Sequence, residues 1–223
     1  MALLGCAGCA NHVAAPGADR GGNPGPISMP ETGVATYYDA TGAGACSFDP
    51  SPGDLDVAAM DAVEWNGSAV CGECAHVIGP SGEVTVRIVD LCPECEAGHL
   101  DLSIEAFAKI AQVSAGRVPI TWQVQPCAVQ GNVAYRYKEG SSQYWTAIQV
   151  RNHRLPITGL EVQLGGAWQD VPRTDYNYFV RPMGVGTTAG FPVRISAAGG
   201  QQLIDMLPPV SEGAVVQGAA QFQ

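Results

Sequence analysis

Charge is scarce in this 223-residue chain, and positive charge is scarcest: 14% of the residues are charged, with 11 Lys and Arg against 21 Asp and Glu. A net charge of −10 argues against nucleic acid and other polyanions, such as de-esterified pectin, as partners. No segment approaches the ~20 apolar residues of a membrane-spanning helix. Cysteine is missing after Cys127, and that loss coincides with a change in charge. From Gly33 to Cys127 there are 3 basic and 13 acidic residues, whereas Gly131 to Gln223 holds 7 and 6. The acidity therefore belongs to the first half, and the near-neutral second half is free to meet an uncharged polymer.

The chain is long enough for two small domains, each with its own core. Residues 1–32 read as an export or lipoprotein-like leader followed by a disordered tether rich in Ala, Gly and Pro. Within them Leu3-Leu4-Gly5-Cys6 resembles the lipobox of bacterial lipoproteins, which makes Cys6 a candidate lipid anchor; the alternative is the remnant of a cleaved signal carrying Cys6 and Cys9. Either way the chain is expected outside the cytoplasm. Residues 33–127 then alternate short β-rich runs with Gly, Pro and Asp: Gly33 to Tyr38, Ala69 to Ile78, Val84 to Val89 and Val118 to Val124. One helix is expected after Ser103, its cap, with Ile104, Phe107, Ala108 and Ala111 on the inward face. Residues 131–223 carry strands at Val133 to Tyr137, Tyr144 to Arg151, Gly159 to Leu164, Tyr176 to Val180 and Val193 to Ser196, the pattern of a β-sandwich.

Cys71-Gly-Glu-Cys74 and Cys92-Pro-Glu-Cys95 have the spacing of a four-cysteine zinc ribbon. Against zinc, Cys46 and Cys127 make an even set of six in the same half, and the leader implies an oxidising compartment. A thioredoxin-like redox motif at Cys92–Cys95 lacks the helix that should follow it. Six cysteines permit fifteen pairings, so spacing alone assigns none.

Three ordered stretches carry a resemblance: Ala35-Thr36-Tyr37-Tyr38-Asp39-Ala40-Thr41-Gly42, Val89-Asp90-Leu91-Cys92-Pro93-Glu94-Cys95 and His99-Leu100-Asp101-Leu102-Ser103. Together with the cysteines they resemble the six-stranded double-psi β-barrel of bacterial expansins. In the second half, Lys138 to His153 and Asp175 to Val180 resemble the expansin cellulose-binding domain, an immunoglobulin-like β-sandwich. The resemblance implies an all-β, two-domain, monomeric protein, secreted or held at the cell surface. It also implies the disulfides Cys46–Cys71, Cys74–Cys127 and Cys92–Cys95, with no cofactor and no metal.

In that family a Thr and two Asp line an open polysaccharide groove, and they map onto Thr36, Asp90 and Asp101. Cys92 stands where an aromatic residue is expected, leaving Tyr38 to supply part of that contact. Three rings on one sheet face stack on cellulose, and they map onto Tyr144, Trp145 and Tyr176, with Lys138 beside them. Adjacent residues of a regular strand face opposite ways, so Tyr144 and Trp145 share a face only if a loop or bulge intervenes, as the Gly140-Ser141-Ser142 turn permits. Trp65 and Trp122 lack this pattern and are assigned to the core or an interface. Asp90 as a turn former and Asp101 as a helix-dipole partner are structural roles compatible with sugar contact.

The implied activity is loosening of cellulose-rich plant cell wall without cutting it. The barrel also resembles family-45 glycoside hydrolases, where Asp101 would be the acid and Asp39 lies near the base, and septal lytic transglycosylases, with Asp101 as acid. A further alternative is a cellulose-adhesion module whose barrel is inert.

Overall fold

The computed structural model describes residues 27–223, so the expectations for Cys6 and Cys9 lie outside it. Six strands close into a barrel: β1 (Glu31–Tyr38), β2 (Val57–Asp61), β3 (Cys74–Gly79), β4 (Gly82–Cys92), β5 (Leu100–Ser103) and β6 (Val118–Gln125). Their order around the barrel is β1-β5-β2-β4-β3-β6, with β1/β5 and β2/β4 parallel. On β4, Val84, Val86 and Ile88 turn into the core as their period-2 spacing requires. Val89, on the opposite face, is also buried, because Ala40 and Val57 cover it.

Two short helices attach to the barrel, α1 (Ala62–Trp65) and α2 (Ile104–Ile110). Ser103 caps α2 through Ala106 N at 3.0 Å. The expected inward face needs correction: Ile104 and Ala108 are exposed, and Ala106, Phe107, Ile110 and Ala111 face the barrel. Phe107 and Ile110 fix the buried stripe, which rotates Ile104 out to solvent one turn earlier. The strand expected from Ala69 is also shorter, since turns occupy 66–72 and pairing starts at Cys74. Conversely β1 starts inside the expected tether, with Glu31 and Thr32 paired to Trp122 and Thr121 on β6. Backbone pairing, not side-chain burial, holds those two polar residues in the strand.

The second part is built from β7 (Ala134–Tyr137), β8 (Thr146–Arg151), β9 (Ile157–Leu164), β10 (Ala167–Asp170), β11 (Phe179–Arg181), β12 (Phe191–Ala197), β13 (Gln202–Leu207) and β14 (Val215–Gln217). They form two four-stranded antiparallel sheets, ordered β11-β8-β7-β14 and β10-β9-β12-β13. Tyr135, Tyr137, Ile148, Leu160, Phe191 and Ile195 fill the space between them. Trp65 and Trp122 sit in the barrel core, where the Trp122 indole N–H donates to Gly98 O at 3.1 Å.

The cysteines pair as Cys46–Cys71, Cys74–Cys127 and Cys92–Cys95. Cys71 and Cys74 thus join different partners, and the four cysteines of the zinc-ribbon spacing do not converge as thiolates.

Candidate functional site

Four adjacent barrel strands place one row of residues side by side. Thr36 on β1 is in register with Asp101 on β5, Asp101 with Ala59 on β2, and Ala59 with Asp90 on β4. Directly paired residues share a face of the sheet, so Thr36 and both aspartates point the same way. Ala59 contributes only a methyl group between the acids, which leaves an open trough about 10 Å across at two interstrand spacings.

Hydrogen bonds fix the polarity of this row. The Thr36 hydroxyl donates to Asp101 Oδ1 at 2.5 Å and lies 2.9 Å from His99 Nε2. A threonine has a single proton, so with Asp101 as carboxylate the imidazole N–H donates to Thr36. Burial holds the His99 pKa below its ordinary value, aided by Arg117 and opposed by Asp101, Asp61 and Glu96. Asp90 Oδ1 accepts from Ala45 N at 2.7 Å and Leu91 N at 2.9 Å. Gly44 makes that position possible: a Cβ there would lie 2.4 Å from Asp90 Cγ.

Tyr38 follows Thr36 by two residues on β1, on the same face. Its hydroxyl is buried without a hydrogen-bond partner among the described residues. Burial first, then the charges of Asp90 and Asp101, raise its pKa, so it remains a neutral phenol. Asp39 is exposed just past the end of β1. The structure groups Thr36, Tyr38, Asp90 and Asp101 on one face.

The rings of the second part lie in turns, not strands. The expected strand from Tyr144 begins at Thr146, because Ser142 to Trp145 closes a turn through Ser142 N to Trp145 O at 2.7 Å. Tyr144 is 74% exposed at the tip, while Trp145 is half-buried against Ala147, Tyr178 and Val180. Likewise the expected strand from Tyr176 begins at Phe179, and Tyr176 occupies a turn closed by Asn177 N to Thr174 O. Its ring is 6.0 Å from that of Tyr178, over which Lys138 Nζ sits at 5.7 Å. Tyr178 is thus the buried footing of the ring cluster, and the alternation Tyr176, Tyr178 was the available signal for it.

The two parts are locked together. Gln149 and Asn177 both donate to Cys46 O, at 2.8 and 3.2 Å. Arg136 and Arg151 grip Asp49, each at 2.6 Å. Ser68 Oγ donates to Thr174 O at 2.7 Å, and Arg173 donates to Ser68 O, Ala69 O and Ile157 O. On the barrel side, fully buried Asp61 accepts from Val63, Glu64 and Gly98 N–H groups, anchoring the loop that carries His99.

Comparisons with known proteins agree with this architecture. A family model described as lytic transglycolase matches residues 57–122, within the barrel. Over 201 residues the chain is 37% identical to expansin YoaJ of Bacillus subtilis, covering 85% of each. The crystal structure of apo Clavibacter michiganensis expansin superposes with a TM-score of 0.80 at 34% identity, covering 87% of this chain and 98% of that one. A mutant of the Clavibacter expansin solved in complex with cellohexaose gives a TM-score of 0.81 at 33% identity.

Proposed function

The chain belongs to the expansin family, and from that premise we propose that it is a secreted, non-enzymatic protein that binds cellulose-rich wall and loosens it. The Clavibacter relative was solved with cellohexaose, a neutral glucan oligomer, and the near-neutral ring cluster here suits the same class of ligand. Tyr144, Trp145 and Tyr176 stack on the apolar faces of the sugars, whose hydroxyls lie at the edges. Three rings supply several kcal/mol at ~25 cal/mol per Å² without any charge. Thr36, Asp90 and Asp101 then bond the hydroxyls of a glucan in the trough and compete with its bonds to neighbouring chains, with the Tyr38 ring beside them. Binding that differs between packed and loosened glucan shifts that equilibrium without a covalent step.

The observation that carries this reading is the polarity of the row. Asp101 accepts a hydrogen bond from the Thr36 hydroxyl and Asp90 accepts two from backbone N–H groups, so both carboxyl groups are held in place to meet sugar hydroxyls. A hydrolase of the inverting type needs a protonated acid facing a base-activated water. Asp39, the candidate base, is exposed just past the end of β1.

Two assays test the proposal: extension of heat-inactivated wall strips under load, and reducing-end release from swollen cellulose. Extension without sugar release is expected, and Asp101→Asn is expected to lose extension while keeping cellulose retention. Sugar release that disappears in both Asp39→Asn and Asp101→Asn would make the protein a hydrolase.

A further inference from the structure

Between the barrel and the sandwich lies a cavity of about 250 Å³ that neither the trough nor the ring cluster uses. Phe48, Asp49, Gly72, Arg87, Arg151 and His153 are among its walls. Its charges do not balance locally. Asp49 is shared by Arg151 and Arg136, and Arg136 also holds Glu139 at 2.7 Å. Arg87 stands outside this network, and its buried Nε has no hydrogen-bond partner among the described residues. Burial depresses its pKa, with Asp54 opposing and Arg151 adding to the effect, yet a guanidinium stays charged throughout the physiological range.

The position is built, not incidental. Arg87 projects outward from β4, and its guanidinium lies 5.4 Å from the centre of the Phe48 ring, with that of Arg151 at 5.9 Å. His153 closes the floor as a neutral ring: burial pushes its pKa down to about 4, and it bonds Leu155 O at 2.8 Å. The Nε is enclosed, so the terminal nitrogens Nη1 and Nη2 are what Arg87 can offer the cavity, and the guanidinium makes no hydrogen bond or ion pair among the described residues.

The two terminal nitrogens of a guanidinium match a carboxylate in planar, bidentate geometry. The net charge of −10 repels polyanions, so the suitable ligand brings one negative charge on a neutral body. The volume falls just below that of drug-sized ligand pockets and suits about one sugar ring. We propose that this cavity is a second glycan site, in which Arg87 receives the carboxylate of a single uronate branch carried by an otherwise neutral polysaccharide. Its walls include none of Tyr144, Trp145 and Tyr176, so the protein would grip a neutral glucan and an acid-bearing matrix glycan at once.

The test is titration of the full chain with xylotetraose bearing one glucuronosyl branch, and with the same oligosaccharide after reduction of its carboxyl to the alcohol. The acid form is expected to bind about tenfold tighter or more, the factor one charge-assisted hydrogen bond supplies, and to shift the Arg87 Nε–H resonance. Arg87→Gln is expected to erase the preference while retention on pure cellulose, the separate readout of the ring cluster, stays unchanged. Arg87→Lys, which keeps the charge and loses the fork, should fall between. Equal binding of the two forms, or a preference that survives Arg87→Gln, overturns the proposal. Should Arg87→Gln not fold, the native chain still decides, because a carboxylate preference without a shift at Arg87 also refutes it.

Discussion

Replacing Glu73 by Gln should remove a pH dependence of stability that lies in the joint between the two parts. Glu73 lines a second cavity there, of about 480 Å³, together with Arg173 and Asp175. Burial pushes its carboxyl up to about 7 from an ordinary 4.5, and Arg173 opposes the shift. The folded chain thus keeps a proton that the unfolded chain releases, so this group's contribution is whole below pH 4.5 and is lost as pH rises through 7. At 1.36 kcal/mol per pH unit the shift corresponds to roughly 3 kcal/mol, trimmed to about 2 by water in the cavity. His153 acts in the opposite sense: its pKa falls from 6.5 to about 4, so its contribution is whole above pH 6.5 and is lost as pH falls through 4. The two windows overlap between pH 4.5 and 6.5, where the slopes offset one another. Glu73→Gln should match the native chain at pH 4 and exceed it by about 2 kcal/mol at pH 8. In the variant, the rise from His153 between pH 4 and 6.5 should lose the opposing slope of Glu73 and keep only that of Glu64. Urea unfolding at pH 4, 5.5, 6.5 and 8 measures the difference, in which Glu64, also raised to about 7 chiefly by its bond with Asp61, cancels. A difference that does not change with pH would refute the reasoning.

Tyr144→Ala should leave the urea midpoint unchanged and lower cellulose affinity about fivefold in depletion isotherms, because the ring is exposed and worth roughly 1 kcal/mol when stacked. Trp145→Ala should lower affinity and also cost about 2 kcal/mol of stability, since half its ring packs on Tyr178 and Val180. By loop-closure entropy, removing Cys74–Cys127, which spans 53 residues, should cost about 4 kcal/mol, against about 2 for Cys92–Cys95, which spans 3. Paired Cys→Ser variants in chemical unfolding test that order. Arg173→Met removes three bonds from a charged donor and should cost about 3 kcal/mol, splitting the calorimetric transition into barrel and sandwich components.

Much of the trough was legible because its residues fall in short, ordered motifs on consecutive segments. Four barrel strands showed themselves as β-rich runs between Gly, Pro and Asp, and Ser103 by its place before an apolar run, whereas β2, buried along its whole length, and the four-residue β5 carried no alternation to read. What failed to show depended on long-range contact. The α2 stripe was misplaced because seven residues give less than two full periods, and Ile104 fits an inward stripe until Phe107 and Ile110 choose the face. Asp61 caps a helix of four residues, too short for any periodic signal, and its third partner, Gly98, lies 37 residues away. The joint was more hidden still: Ser68 meets Thr174 across 106 residues, and Cys46 meets Asn177 across 131. His99 stood inside a recognised motif, yet its role follows only from the register that sets Thr36 beside Asp101.

One loop explains how the trough and the rings keep their relative positions. Gly44 leaves room for Asp90, and Ala45 N–H binds the Asp90 carboxylate. Cys46 is tied to the barrel by its disulfide, while its carbonyl receives Gln149 and Asn177 from the sandwich. Asp49 then joins Arg136 and Arg151. Within six residues, the segment that orients a trough acid is fastened to the sheet and the turn that carry the rings. The individual ion pairs at the rim are weak, but the buried carbonyl contacts resist opening because breaking them strands polar groups away from water. On the proposed function, a glucan bound at both places would be held against a fixed frame, and the rearrangement that loosens the wall would then occur in the polysaccharide.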